Sequence, residues 1–125
     1  MTQDIATLIE RNLHGIFGEG DEALRRATAA EIYADDAIFV EPHGIYRGPN
    51  EILRIAGVIR ATHPSFRYEI IAPVEVLPGN VARAKWISGA PGEPPAYAGT
   101  DVVVAEGGKI TAIYMFFDGL PDPTH

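Results

Sequence analysis

The chain has 125 residues, enough for one domain (1–125) that buries roughly two thirds of its unfolded surface without a disulfide or structural metal. Its net charge is −7 and its basic residues are scattered, with Arg25-Arg26 the only adjacent pair, which argues against nucleic acid or an anionic membrane as partner. The absence of cysteine excludes thiol catalysis and thiolate metal sites. Met1-Thr2-Gln3-Asp4 lacks the basic-then-apolar layout of a secretion signal, and no apolar run approaches the ~20 residues of a spanning helix, so the expected location is cytoplasmic.

Ile5, Leu8, Ile9, Leu13, Ile16 and Phe17 recur at three- and four-residue spacing, which predicts an amphipathic helix over 3–17, ended by Gly18 and Gly20. Asp21 is a good N-cap for a second helix with Leu24, Ala27 and Ile32 on its inner stripe. Asp35 and Asp36 read as solvated turn residues before a short strand, Ala37–Glu41, stopped by Pro42 and Gly44. Gly48-Pro49 opens a third helix with Ile52, Leu53, Ile55, Ala56 and Ile59 as its apolar stripe, closed by Thr62-His63-Pro64.

The second half changes period. Phe66 to Leu77 reads as one long strand, with Pro73 marking a bulge or an edge. Pro78-Gly79-Asn80 turns into a strand over 81–88, and a Pro/Gly-rich loop leads to 97–106. Gly107-Gly108 then makes a hairpin into Lys109–Phe117. Helices followed by a meander of long strands predict an α+β domain with the helices on one sheet face. The last strand is apolar on both faces, Ile113, Met115 and Phe117 alternating with Ala112, Tyr114 and Phe116. One face can pack under the helices, and a homodimer through the outer sheet face is the expected use of the other.

Chemistry concentrates in two places. In Tyr97-Ala98-Gly99-Thr100-Asp101-Val102-Val103-Val104-Ala105, Asp101 shares its strand face with Tyr97, Gly99, Val103 and Ala105, none of them charged. If that face is buried, desolvation raises the carboxyl pKa and makes Asp101 a candidate acid or base. An edge-strand Asp turned to water is the other reading. Glu41 and His43 sit two apart and could form a base and its proton partner, or lie on a loop in water. A metal site built on these two lacks an evident third ligand. Trp86 shares a face with Ala82 and Ala84, while Arg83 and Lys85 take the opposite face; His63 reads as a cap of the third helix.

The run Tyr33-Ala34-Asp35-Asp36-Ala37…Glu41-Pro42…Gly44, the Tyr46-Arg47-Gly48-Pro49 helix start and the Gly-Gly-Lys-Ile strand closing in Phe-Phe-Asp resemble the nuclear transport factor 2-like superfamily. Within it, the chain is most similar to the branch of SnoaL-like polyketide cyclases and ketosteroid isomerases. The resemblance implies a cone-shaped, curved, mostly antiparallel mixed sheet wrapped around three helices from the N-terminal half, enclosing a pocket for a small apolar organic ligand. It puts Glu41 at the proton-moving carboxylate and Asp101 at the protonated, hydrogen-bonding one, a pattern known from ketosteroid isomerase. It implies that Trp86, Ile113, Met115 and Phe117 line the pocket; Val103, on the Asp101 face, is a further candidate, and Tyr46 and Tyr97 could donate a hydrogen bond into the pocket or serve as core or rim. The isomerases carry a tyrosine on the first helix where this chain offers Leu13 or His14, which makes His14 a candidate donor, as His43 is beside Glu41. The activities implied are cofactor-independent isomerisation, cyclisation or dehydration, and the fold also hosts non-catalytic ligand-binding or accessory domains and epoxide hydrolases.

Overall fold

A computed structural model describes residues 3–120. Met1 and Thr2, part of the segment read for a secretion signal, lie outside the described residues. Among the described residues no helix is long and apolar enough to cross a membrane.

Asp4 caps the first helix, α1 (Ile5–Asn12), accepting from the Thr7 amide at 2.8 Å. The helix then widens into a π-helical turn, Leu13–Phe17, closed by Gly18 N–H donating to Leu13 C=O at 2.7 Å. The extra residue per turn rotates the succeeding side chains relative to a continuous α-helix, so the single helix expected over 3–17 is two segments of different pitch.

Asp21 caps α2 (Glu22–Ile32) by accepting from the Ala23 and Leu24 amides. The expected stripe is corrected here: Leu24 is 54% exposed, Ala27 is also exposed, and the buried positions are Arg25, Ala29 and Ile32. Arg25 takes a core position because its Nη1 donates to Glu19 C=O at 2.8 Å and its end lies close to Gly57 of the third helix, where a Cβ would stand 3.4 Å from Nη2. That helix, α3 (Pro49–Thr62), starts as expected with proline in its first turn.

Seven strands form one mixed sheet in the order β2-β1-β7-β6-β5-β3, with β4 also paired to β5. They are β1 (Tyr33–Glu41), β2 (Gly44–Arg47), β3 (Arg67–Ile70), β4 (Glu75–Leu77), β5 (Val81–Gly89), β6 (Tyr97–Glu106) and β7 (Lys109–Asp118). Among the described residues only the β1–β7 pair is parallel. Asp35 and Asp36 are exposed as expected but belong to β1, at a register shift between Tyr33 and Ile38 rather than in a turn. Pro42 and Gly44 reverse the chain instead of ending the sheet, so β2 forms where none was expected, pairing Phe39 with Tyr46 and Glu41 with Gly44. The stretch 66–77 is two short strands, because β3 and β4 each pair with β5 on either side of Pro73, which lacks a ladder donor. At the β6–β7 turn both Gly107 (φ +60°) and Gly108 (φ +78°) hold the left-handed conformation that a two-residue hairpin requires.

The concave sheet face divides along the strands. At one end the small residues Ala82, Ala84, Val103 and Ala105, together with Ile110 and Ile113, pack with Leu8, Ile9 and Leu13 into the core. At the other end stands Trp86, directly across from Gly99 of β6. A Cβ on Gly99 would sit 2.3 Å from the indole Cζ2, so the ring can lie over β6 only because this residue has no side chain. Gly99→Ala is therefore expected to destabilise the fold by about 1–3 kcal/mol in urea unfolding, whereas Gly119→Ala, which meets nothing within 4 Å, changes it little. Equal effects of the two substitutions would contradict this packing.

Candidate functional site

Beyond the plugged end of the concave face lies a cavity of about 440 Å³. Its floor is buried: Leu13 and Phe17 from the π-helical turn, Phe39 of β1, Trp86 and Ser88 of β5, and Asp101 of β6. One helical side comes from α3, with Ile55, Val58, Ile59 and Arg60. The rim carries His43, Tyr46, His63, Phe66, Tyr97 and Phe117. The hollow exists because α1 and its π-helical turn end at Gly18, leaving the far half of the strand face without a helix pressed on it.

Asp101 is 4% exposed, so of the two sequence readings the buried one holds. Its Oδ1 accepts a hydrogen bond from Trp86 Nε1 at 3.0 Å. Burial pushes its pKa up from 3.8 to about 7, with the Trp86 hydrogen bond opposing that shift. The indole N–H can only donate, so Oδ1 remains an acceptor whether or not the acid is protonated. The carbonyl-type oxygen is the better acceptor, so the Trp86 hydrogen bond favours the proton on Oδ2, which has no hydrogen-bond partner among the described residues. Asp101 can offer an O–H to a cavity ligand or, once ionised, take a proton from one.

Tyr68 of β3 also lines the cavity, its ring edge-on to Trp86 at 5.1 Å. Burial, and then the neighbouring Asp101 charge, push its pKa up to about 12 against the opposing pull of Arg60. It is thus a phenol that stays protonated and can donate. Outside the cavity wall, buried Tyr33 donates to Asn12 Oδ1, and burial followed by the Asp101 charge keeps this phenol protonated too.

Glu41 has a different environment. Its Oε1 accepts from Tyr46 O–H at 2.8 Å and its Oε2 from the His43 backbone N–H at 3.0 Å, so the β1–β2 hairpin occupies both oxygens. His43 meets Glu41 through its backbone, and its side chain is exposed at the rim. Among the described residues no cluster of three or more His, Cys, Asp or Glu could hold a metal ion.

The structure brings Asp101, Glu41, His43, Tyr46, Trp86, Tyr97, Met115 and Phe117 to one cavity, and it leaves out three of the expected residues. His14 is exposed and lines a separate shallow depression with Glu10, Arg11, Gly15 and Thr28. The π-helical turn sends Leu13 and Phe17 inward and His14 outward, so His14 is not a donor into this cavity. Val103 and Ile113 are each 0% exposed and belong to the packed core, because the cavity stops short of that end of the strands. His63 does end α3, but its ring also stacks on Phe66 at 4.3 Å in the cavity rim.

Tyr68, Ser88 and Arg60 line the cavity too, although no sequence motif marks them. Strand alternation puts Tyr68 on the face of Ile70 and Ser88 on the face of Trp86, but only the tertiary closure shows which ends of those faces stay hollow.

Residues 11–113 match the family model described as the SnoaL-like domain. No curated protein matches the chain. Among solved structures, a proposed isomerase of the SnoaL-like family from Agrobacterium tumefaciens superposes with a TM-score of 0.84 at 25% identity, covering 91% of this chain and 97% of that one. A nuclear transport factor 2-like protein of unknown function from Cytophaga hutchinsonii gives 0.69 at 17% identity, over 94% of this chain and 93% of that one. A proposed SnoaL-like polyketide cyclase from Jannaschia gives 0.73 at 12% identity, over 91% and 85%. The last two similarities concern the fold alone.

The buried acid leaves a pH signature. Its pKa is raised in the folded state, so the folded chain holds the proton more tightly than the unfolded chain does. That contribution to stability is full below the unfolded value of 3.8 and is lost as pH rises through about 7. At most it amounts to about 4 kcal/mol. Asp101→Asn is expected to flatten this part of the stability profile in urea unfolding. It should also abolish a fluorescence titration of Trp86, the single tryptophan, centred near pH 7. A variant profile parallel to that of the wild type would contradict the assignment.

Proposed function

The chain belongs to the SnoaL-like family, and from that premise we propose that it is an acid–base enzyme moving a proton on a small, largely apolar carbonyl compound, by isomerase-, cyclase- or dehydratase-type chemistry. The reading rests on one observation: a carboxyl group, 4% exposed and with a single protein hydrogen bond, on the wall of a mostly apolar cavity. With a pKa near 7, Asp101 is available in both protonation states at neutral pH, which suits a group that accepts and returns a proton. Neutral, it donates from Oδ2 to an oxygen that gains charge as a substrate enolises. Tyr68 is the second donor, replacing the first-helix tyrosine that the sequence lacks. Glu41, held by Tyr46 and the His43 amide, is a proton carrier at the rim.

The test is deuterium exchange at the α-carbon of 2-tetralone, an enolisable bicyclic ketone, followed by NMR. Wild-type protein is expected to accelerate exchange, Asp101→Asn to lose it by about 100-fold or more, and Tyr68→Phe by a smaller factor. Tetralone binding without accelerated exchange, and with affinity unchanged in Asp101→Asn, would replace this reading with a non-catalytic ligand-binding domain.

We also propose that the protein is a homodimer through the convex sheet face. Phe116 is 58% exposed there and Tyr114 37%, beside the half-buried Val102, Val104, Ile38 and Val40. Sedimentation is expected to give a dimer at micromolar concentration, shifted towards monomer by Phe116→Lys. A monomeric wild type would exclude it.

A further inference from the structure

The strand registers arrange the cavity face in rows. Tyr68 of β3 stands directly opposite Ser88 of β5, and Ser88 opposite Tyr97 of β6, so three hydroxyl-bearing side chains share one row and one face. The next row inward holds Trp86 and Gly99, and the one after it Ala84, Asp101 and Met115. Ser88, Trp86 and Asp101 thus line the cavity from three successive rows. The Ser88 and Asp101 rows are four residues apart along β5, about 13 Å of extended strand, and the Trp86 row lies between them.

Ser88 differs from its two row neighbours. Tyr97 is 41% exposed at the rim, and its hydroxyl meets His63 Nε2 at 3.4 Å. The Tyr68 ring is turned edge-on to Trp86. Ser88 is 4% exposed, and its hydroxyl has no hydrogen bond of ordinary length to another described residue. Its pull on the Tyr68 pKa is the smallest of those acting on that phenol. Nor is the hydroxyl sealed inside the protein: among the described residues, the sealed side-chain atoms without a partner are Asn12 Nδ2 and the Nε atoms of Arg25 and Arg60. Its remaining surface opens on the cavity. A buried hydroxyl without a firm partner is costly in an apolar wall, and it can both donate and accept. A polar atom on the cavity's occupant would satisfy it.

We propose that Ser88 is a specificity-determining residue whose hydroxyl holds a second oxygen of the ligand, at the far end of the cavity floor from Asp101. The ligand class is then an apolar carbonyl compound with its enolisable end at Asp101, a flat ring body over Trp86, and a hydroxyl or second carbonyl at the opposite end. This deepens the acid–base reading above and rests on it for the Asp101 end alone. The separation of the two rows asks for a longer body than a bicyclic ketone. Ser88 touches no reacting atom in this arrangement; it sets the length and the polarity of the end that the cavity accepts.

The test compares 4-acetylbiphenyl with 4-acetyl-4′-hydroxybiphenyl, two ketones that differ only in the far hydroxyl, by calorimetric titration. It is run at about pH 6, where Asp101 is mostly protonated and can donate to the ketone. Wild-type protein is expected to bind the hydroxylated ketone at least about fivefold more tightly. In Ser88→Ala that preference should vanish while the affinity for 4-acetylbiphenyl stays within about twofold. Because the hydroxyl lacks a firm protein bond, the urea midpoint of Ser88→Ala should match that of the wild type. Equal affinity of the two ketones for the wild type, or a preference surviving in Ser88→Ala, overturns the proposal and leaves the tetralone result standing. Lower stability in Ser88→Ala with both ketones weakened alike marks a structural hydroxyl and also overturns it. Failure of both ketones to bind overturns it together with the pocket reading.

Discussion

An ionisable carboxyl group with one protein hydrogen bond in a largely apolar wall is the constraint around which this molecule is organised. Transfer of a carboxylate out of water is expensive unless several donors surround it. Here the structure provides one, the indole N–H of Trp86. The remaining imbalance appears as a proton held until about pH 7. Because the indole donates to Oδ1, a proton on Oδ2 is favoured. Burial and one hydrogen bond from the adjacent strand thereby bias both the protonation of the group and the oxygen that carries the proton.

The arrangement depends on features that look unrelated in the chain. Gly99 supplies the flat patch of β6 on which the indole lies, two residues from the acid it serves. The π-helical turn ends the first helix while directing Leu13 and Phe17 into the wall, and so decides where the packed core stops and the hollow begins. Along β6 that boundary runs between Val103, fully buried in the core, and Asp101, buried but facing the cavity. A one-residue slip in strand register would turn Asp101 to the convex face and Thr100 inward.

Glu41 shows how the same chemical group is held at the rim. Both of its oxygens are hydrogen-bonded within one hairpin, by the Tyr46 phenol and the His43 amide, and it is only half-buried. Two carboxyl groups in one cavity are thus set apart by environment. Solved structures that share this architecture include a proposed isomerase and proposed polyketide cyclases as well as proteins of unknown function. The fold therefore supplies a container, and the chemistry depends on which side chains reach its wall.

Local pattern in the chain is enough for three helices, from apolar spacing and caps, for the β6–β7 hairpin, from Gly107-Gly108, and for Asp101 as the lone charge on an apolar strand face. The chain also carries enough motif to indicate its superfamily without coordinates. Local pattern does not reveal β2, whose pairing depends on a partner strand, or the split at Pro73, which depends on β5. Nor can it separate wall from core, since Asp101, Val103 and Trp86 are equally inward by alternation, and only the helix lying across one end makes Val103 core and leaves Asp101 at a hollow. The outward placement of His14 agrees with the apolar spacing of Leu13, Ile16 and Phe17, which leaves it off the inner stripe; only the resemblance had turned it inward. Periodicity specifies the face of an element, whereas whether that face meets another element or empty space is a property of the assembled tertiary structure.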